Sequence, residues 1–78
     1  VLVSGKKFVM PAAQENISSE ERSYLVMGNL ARAYHDGQNK NAVTVKGNTV
    51  MMGSQAILTT NAEDESAQTL ADRLNSIK

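Results

Sequence analysis

The order of apolar and polar positions divides this chain into a small set of elements. Residues 1–10, Val-Leu-Val-Ser-Gly-Lys-Lys-Phe-Val-Met, are dense in strand formers, and Ser4-Gly5 offers a tight turn between two very short strands. A single strand from Lys6 to Met10 is the alternative, and Pro11 ends either one. From residue 18 the period lengthens to that of a helix. Ser18-Ser19-Glu20-Glu21 forms a capping box, with the Ser18 hydroxyl placed to accept from the Glu21 amide. At about 100° per residue, Tyr24, Val26, Met27, Leu30, Ala31, Ala33 and Tyr34 share one arc of about 180°, which predicts the buried face. Glu21, Asn29, Arg32 and Asp36 lie opposite, and Leu25 is stranded among them. Asp36-Gly37 closes the helix, with Gly37 in the left-handed position that ends many helices.

The period then shortens to two. Ala42 to Lys46, Gly47-Asn48, and Thr49 to Met52 read as a hairpin around a two-residue turn. Pairing Lys46 with Thr49 places Val43, Val45, Val50 and Met52 on one face. Gly53-Ser54 either turns the chain into a third strand, Gln55 to Thr60, or interrupts one long strand as a bulge. In both cases strict alternation puts Thr44, Met51, Ala56 and Leu58 on the second face of the sheet. Residues 61–77 read as a second helix. Thr60-Asn61-Ala62-Glu63 supplies a capping box, and Ala67, Leu70, Ala71, Leu74 and Ile77 follow at helical spacing. The fold class is therefore α+β, in the order β-α-β-β-(β)-α. It comprises a small antiparallel sheet of three or four strands with two helices packed on one face.

Length and composition sharpen this picture. Seventy-eight residues predict one domain spanning 1–78. A core this small supplies only about 3–5 kcal/mol unless a disulfide, a metal or a partner subunit adds to it. With no Cys and a single His, disulfides, thiolate zinc sites and iron–sulfur clusters drop out, and no cofactor or metal is expected. Eight Lys and Arg balance eight Asp and Glu, which argues against strong electrostatic binding to nucleic acid or to an anionic membrane. No apolar run approaches the ~20 residues of a membrane span. A cytoplasmic location is expected, although the chain begins at Val and a removed leader would leave no trace.

No residue constellation carries a reaction signature, so an enzyme is not expected. Ser4-Gly5-Lys6 lacks the upstream glycine of a phosphate-binding loop. His35, near a helix end, has only Asp36 beside it in sequence, projecting about 100° away on the helix, and no nucleophile. Glu63-Asp64-Glu65 lacks calcium-loop spacing and reads as acids at the positive end of a helix. Three of the four methionines, Met10, Met27, Met51 and Met52, fall on predicted core-facing positions.

Two partial resemblances can be set against the residues. The order of a helix, three strands and a helix resembles the double-stranded-RNA-binding domain. That family grips phosphates with a Lys-rich cluster at the start of its last helix, where this chain carries Glu63-Asp64-Glu65, and like charge rejects the assignment. Pro11-Ala12-Ala13 and the acidic helix start resemble the phosphocarrier protein HPr. That family carries its phosphorylated His two residues before the Pro, where this chain has Val9.

The second sheet face is the feature that points to a function. Thr44, Met51, Ala56 and Leu58 are small or apolar, and nothing in the chain is left to cover them. The expectation is a non-enzymatic interaction module, a homo-oligomer or small adaptor, binding itself or another protein through this face. Leu25 is a weaker pointer. The alternative is a nucleic-acid-associated regulator using the scattered Arg22, Arg32, Lys40 and Lys46.

Overall fold

The computed structural model describes all of residues 1–78. Leu2–Val3 (β1) and Lys6–Lys7 (β2) form a miniature antiparallel hairpin, with Leu2 opposite Lys7. Its turn residues Ser4 and Gly5 both adopt left-handed φ, 52° and 77°, as the right-handed twist of a two-residue hairpin demands. The chain then runs through the buried Phe8, Val9 and Pro11 into Ser19–His35 (α1). Ser18 caps α1 as the sequence predicts, accepting from the Glu21 amide at 3.1 Å. Gly37 follows at φ 76° and opens a short 3-10 turn over Gln38–Lys40.

Val43–Lys46 (β3), Thr49–Met52 (β4) and Gln55–Thr59 (β5) form a three-stranded meander in that spatial order. The β3–β4 register matches the expectation: Val45 opposes Val50, and Val43 opposes Met52. Gly47 at φ 63° and Gly53 at φ 58° make the two turns, so Gly53 begins a new strand and does not interrupt a longer one. Gly53 is also held by space. A Cβ there would lie 2.1 Å from Gln38 Oε1, which accepts from the Ser54 amide and the Asn41 side chain.

Ala67–Ile77 (α2) begins later than the sequence suggests. Its cap is Ser66, which accepts from the Thr69 amide at 3.1 Å, and not Thr60. Residues 61–64 instead form a turn in which Asn61 Oδ1 accepts from the Glu63 and Asp64 amides. Asp64 is drawn to Arg22 of α1, and Glu65, just outside α2, bonds Arg73 two turns along that helix.

Both helices lie on one face of the sheet. α1 packs along β5 and α2 along β3 and β4. Val26, Leu30 and Ala33 of α1 and Ala67, Leu70, Ala71 and Leu74 of α2 meet Val43, Val50, Met52 and Leu58. Val3, Phe8 and Val9 close one end of the same cluster. Leu58 is the main departure from the sequence reading. The pairing shifts between Val50 and Met51, so Val50 opposes Leu58 while Met51 opposes Ala56. Ile57 is the extra residue of this bulge. Consecutive residues Ile57 and Leu58 are consequently both buried, which strict alternation forbids.

Both outer strands of the sheet are closed by side chains. Asn75 of α2 pairs with the edge of β3 as a strand residue would: its Oδ1 accepts from the Val43 amide and its Nδ2 donates to the Val43 carbonyl, each at 2.9 Å. On β5, the Ile57 carbonyl accepts from Asn29 Nδ2 at 2.8 Å and the Thr59 carbonyl from Arg22 Nη2 at 3.0 Å. Such capping leaves fewer open edge groups for a foreign strand.

Candidate interaction surface

The most strongly built polar feature lies inside the molecule. Arg22 on α1 is 5% exposed. Its Nη1 donates to the Ala12 carbonyl at 2.6 Å and to Asp64 Oδ1 at 2.9 Å. Asp64 Oδ1 also accepts from the Ala12 amide and Oδ2 from the Asn61 amide, both at 2.8 Å. Burial pushes the Asp64 carboxyl up, but the bonds from Arg22, Ala12 and Asn61, with the arginine's charge, outweigh it and hold it below the usual aspartate range. Four chain segments meet at this pair, and no buried side-chain polar atom in the molecule lacks a partner. Every donor and acceptor that faces inward is satisfied, so the pair is a structural lock. Both terminal nitrogens of Arg22 are committed inside the fold and its side chain is buried, which speaks against its use in the nucleic-acid alternative.

The other basic candidates stay apart. Arg32 bonds its own Asp36 at 3.2 Å on the exposed side of α1, Lys40 sits on the 3-10 turn, and Lys46 ends β3. Arg73 is committed too, holding both oxygens of Glu65 at 2.7 Å and the Phe8 carbonyl at 2.8 Å. The Glu65 bond raises the Arg73 pKa, and the same bond lowers that of Glu65. His35 is exposed at the end of α1. No three of the His, Asp and Glu side chains converge on a metal-sized site.

The second sheet face carries Thr44, Met51 and Ala56 as expected, but not Leu58, which the bulge turns into the core. Thr49 and Thr59 join them, sharing a hydroxyl bond of 2.8 Å. With Leu58 gone, Met51 is the only large apolar side chain there, and it is half-buried. Leu25 is exposed on α1, at the rim of a groove shared with Gln14, Ile17, Asn29 and Ile57.

The larger exposed apolar surface lies elsewhere. The apolar arc of α1 is wider than the strip that β5 covers. Val26, Leu30 and Ala33 are buried, whereas Tyr24, Met27, Ala31 and Tyr34 face solvent, with Tyr24 68% exposed. These four recur at spacings of three and four residues, and Leu2 of the β1–β2 hairpin extends the stripe beside Tyr34. The methionines divide likewise: Met52 is in the core, while Met10 and Met27 are exposed. Helical spacing alone could not separate the two halves of the arc, because it reports apolarity and not which side the sheet occupies.

Comparison with protein-family models finds no match to this chain, and comparisons with curated proteins and with solved structures likewise find none.

Proposed function

We propose that this chain is a non-enzymatic protein–protein interaction module whose contact surface is the outward face of α1. One observation carries the reading: Tyr24, Met27, Ala31 and Tyr34, with Leu2 beside them, form a continuous exposed apolar stripe on a rigid helix. Isolated apolar side chains on a surface need no explanation, but a contiguous set on one helix face is the usual mark of a partner site. The polar groups support the same reading from the other side. The buried charges, Arg22 and Asp64, are consumed in holding the fold, bonded to each other and to the backbone. The sheet face around Met51 is the lesser candidate, because the bulge withdraws Leu58 from it.

The test is site-specific photo-crosslinking in cells that express the chain. A photoreactive side chain at position 24 should give a discrete adduct. The same group at Gln68, on the exposed side of α2, should give none. Equal labelling from both positions, or an adduct only from position 44 on the sheet face, would overturn the assignment.

A further inference from the structure

We infer that the Asp36–Gly37 link is a modification site, where aspartate converts to isoaspartate whenever the last turn of α1 frays. Of the three Asp and seven Asn residues, Asp36 alone precedes a glycine. A glycine carries no side chain to shield its amide nitrogen. That nitrogen can attack Cγ of Asp36: the N–Cγ bond forms and the Cγ–OH bond breaks. The hydroxyl leaves as water with the amide proton, and a five-membered imide closes. Water then adds to one of its two carbonyls. Addition at Cγ breaks the new N–Cγ bond and restores aspartate. Addition at the main-chain carbonyl breaks the original peptide bond instead, so the chain runs on through Cγ and the former main-chain carbon becomes a carboxylate. One water leaves and one enters, nothing is oxidised or reduced, and solvent is the only co-reactant.

The structure opens this site to water and gates it with the helix end. Asp36 is the C-cap of α1, and its side chain is 44% exposed. Three features hold the reacting atoms apart. The ψ of Asp36 is 4°. Ring closure needs the Gly37 nitrogen in the plane of Cβ, which is roughly a third of a turn away about the Cα–C bond. The Gly37 amide also donates to the Tyr34 carbonyl at 3.2 Å. Arg32 Nε, one turn back, holds Oδ2 of Asp36 at 3.2 Å. None of these is a strong restraint. An exposed ion pair contributes little, and helix ends open at a free energy close to zero. Breaking the Gly37 bond and turning ψ belong to one motion, the unwinding of the last turn.

The site sits at a junction. An isoaspartyl link adds one carbon to the main chain just before Gly37, whose left-handed φ of 76° opens the 3-10 turn. The displacement falls on Gln38–Asn41, which is tied to two other elements. Gln38 Oε1 accepts from the Ser54 amide in the β4–β5 turn at 3.1 Å. The carbonyls of Asn39 and Asn41 accept from Lys78 Nζ, beyond the end of α2, at 3.0 and 2.5 Å. Conversion should therefore loosen α1 from both.

Tryptic digestion of the purified chain after incubation at neutral pH tests this. It releases the peptide Ala33–Lys40, which is resolved chromatographically from its synthetic isoaspartyl form. The folded chain should convert several-fold more slowly than the free peptide. His35→Gly loosens the last turn at an exposed position, and should speed conversion about two- to threefold relative to its own free peptide. Leu58→Ala weakens the core from β5 and should leave the rate unchanged. Converted chain, separated from unconverted, should show a lower urea midpoint. A folded chain that yields no isoaspartate while the free peptide converts, or that converts as fast as the peptide, overturns the gated site. A rate that rises with Leu58→Ala, or ignores His35→Gly, overturns the route through local fraying. An unchanged urea midpoint overturns the effect on the junction.

Discussion

Breaking the Arg22–Asp64 pair on one side should be costly, and removing the second partner as well should add less than its loss costs alone. Asp64→Ala strands a guanidinium that is 5% exposed, and Arg22→Met strands a carboxylate whose side chain is 1% exposed. Loss of one partner of a buried pair costs about 3–5 kcal/mol. A chain of 78 residues has a total stability of about 4–12 kcal/mol. Either single variant should therefore lose about a quarter of its stability or more. The double variant removes both charges and leaves only backbone groups at Ala12, Thr59 and Asn61 to find water. Its cost should fall short of the sum of the singles by about 1–3 kcal/mol. Urea denaturation followed by circular dichroism, with the slope checked for constancy across the four proteins, measures this coupling. Additivity within about 0.5 kcal/mol, or single costs under about 1 kcal/mol, would refute the lock and class the pair with surface ion pairs.

Other outcomes follow from the same structure. Asp64 titrates below its unfolded value, so its stabilisation is complete above about pH 4 and is lost as pH falls through the lowered native value. The urea midpoint should drop on acidification below about pH 4, and should drop less in Asp64→Asn. Gly53→Ala, at φ 58° and against Gln38, should cost about 1–2 kcal/mol in urea denaturation. Leu58→Ala should cost about 2–5 kcal/mol as a core truncation, whereas Met51→Thr on the sheet face should cost under about 1.5 kcal/mol; equal costs would contradict the bulge register.

Periodicity made the elements legible, and geometry that depends on tertiary contact was not. Ser18, Gly37, Gly47-Asn48 and the Val45–Val50 register are local chemistry, and each reads directly from a few neighbours. The start of α2 was misread because Thr60-Asn61-Ala62-Glu63 has the form of a capping box. The competing demand came from Arg22, forty-two residues away, which takes Asp64 out of the helix. Leu58 was misplaced for a similar reason. Alternation assumes one residue per step, and nothing in Gln-Ala-Ile-Leu-Thr announces that Ile57 is the extra one. The α1 surface was hidden by its own apolarity: seven residues qualified for the core, and the sheet has room for three of them. Arg22, grouped by the sequence with the scattered basic residues, sits on the buried side of the same wheel as Val26, Leu30 and Ala33.

Asn75 gives the order of synthesis a consequence. The meander is complete once Thr59 has emerged, but the side chain that occupies the Val43 edge comes sixteen residues later, near the end of α2. A nascent chain halted between these points holds a finished sheet with an open flank and no α2 over its apolar face. Premature termination within residues 60–74 should therefore create the species most prone to capture by chaperones. Residue 75 marks the point at which the growing chain becomes safe to release.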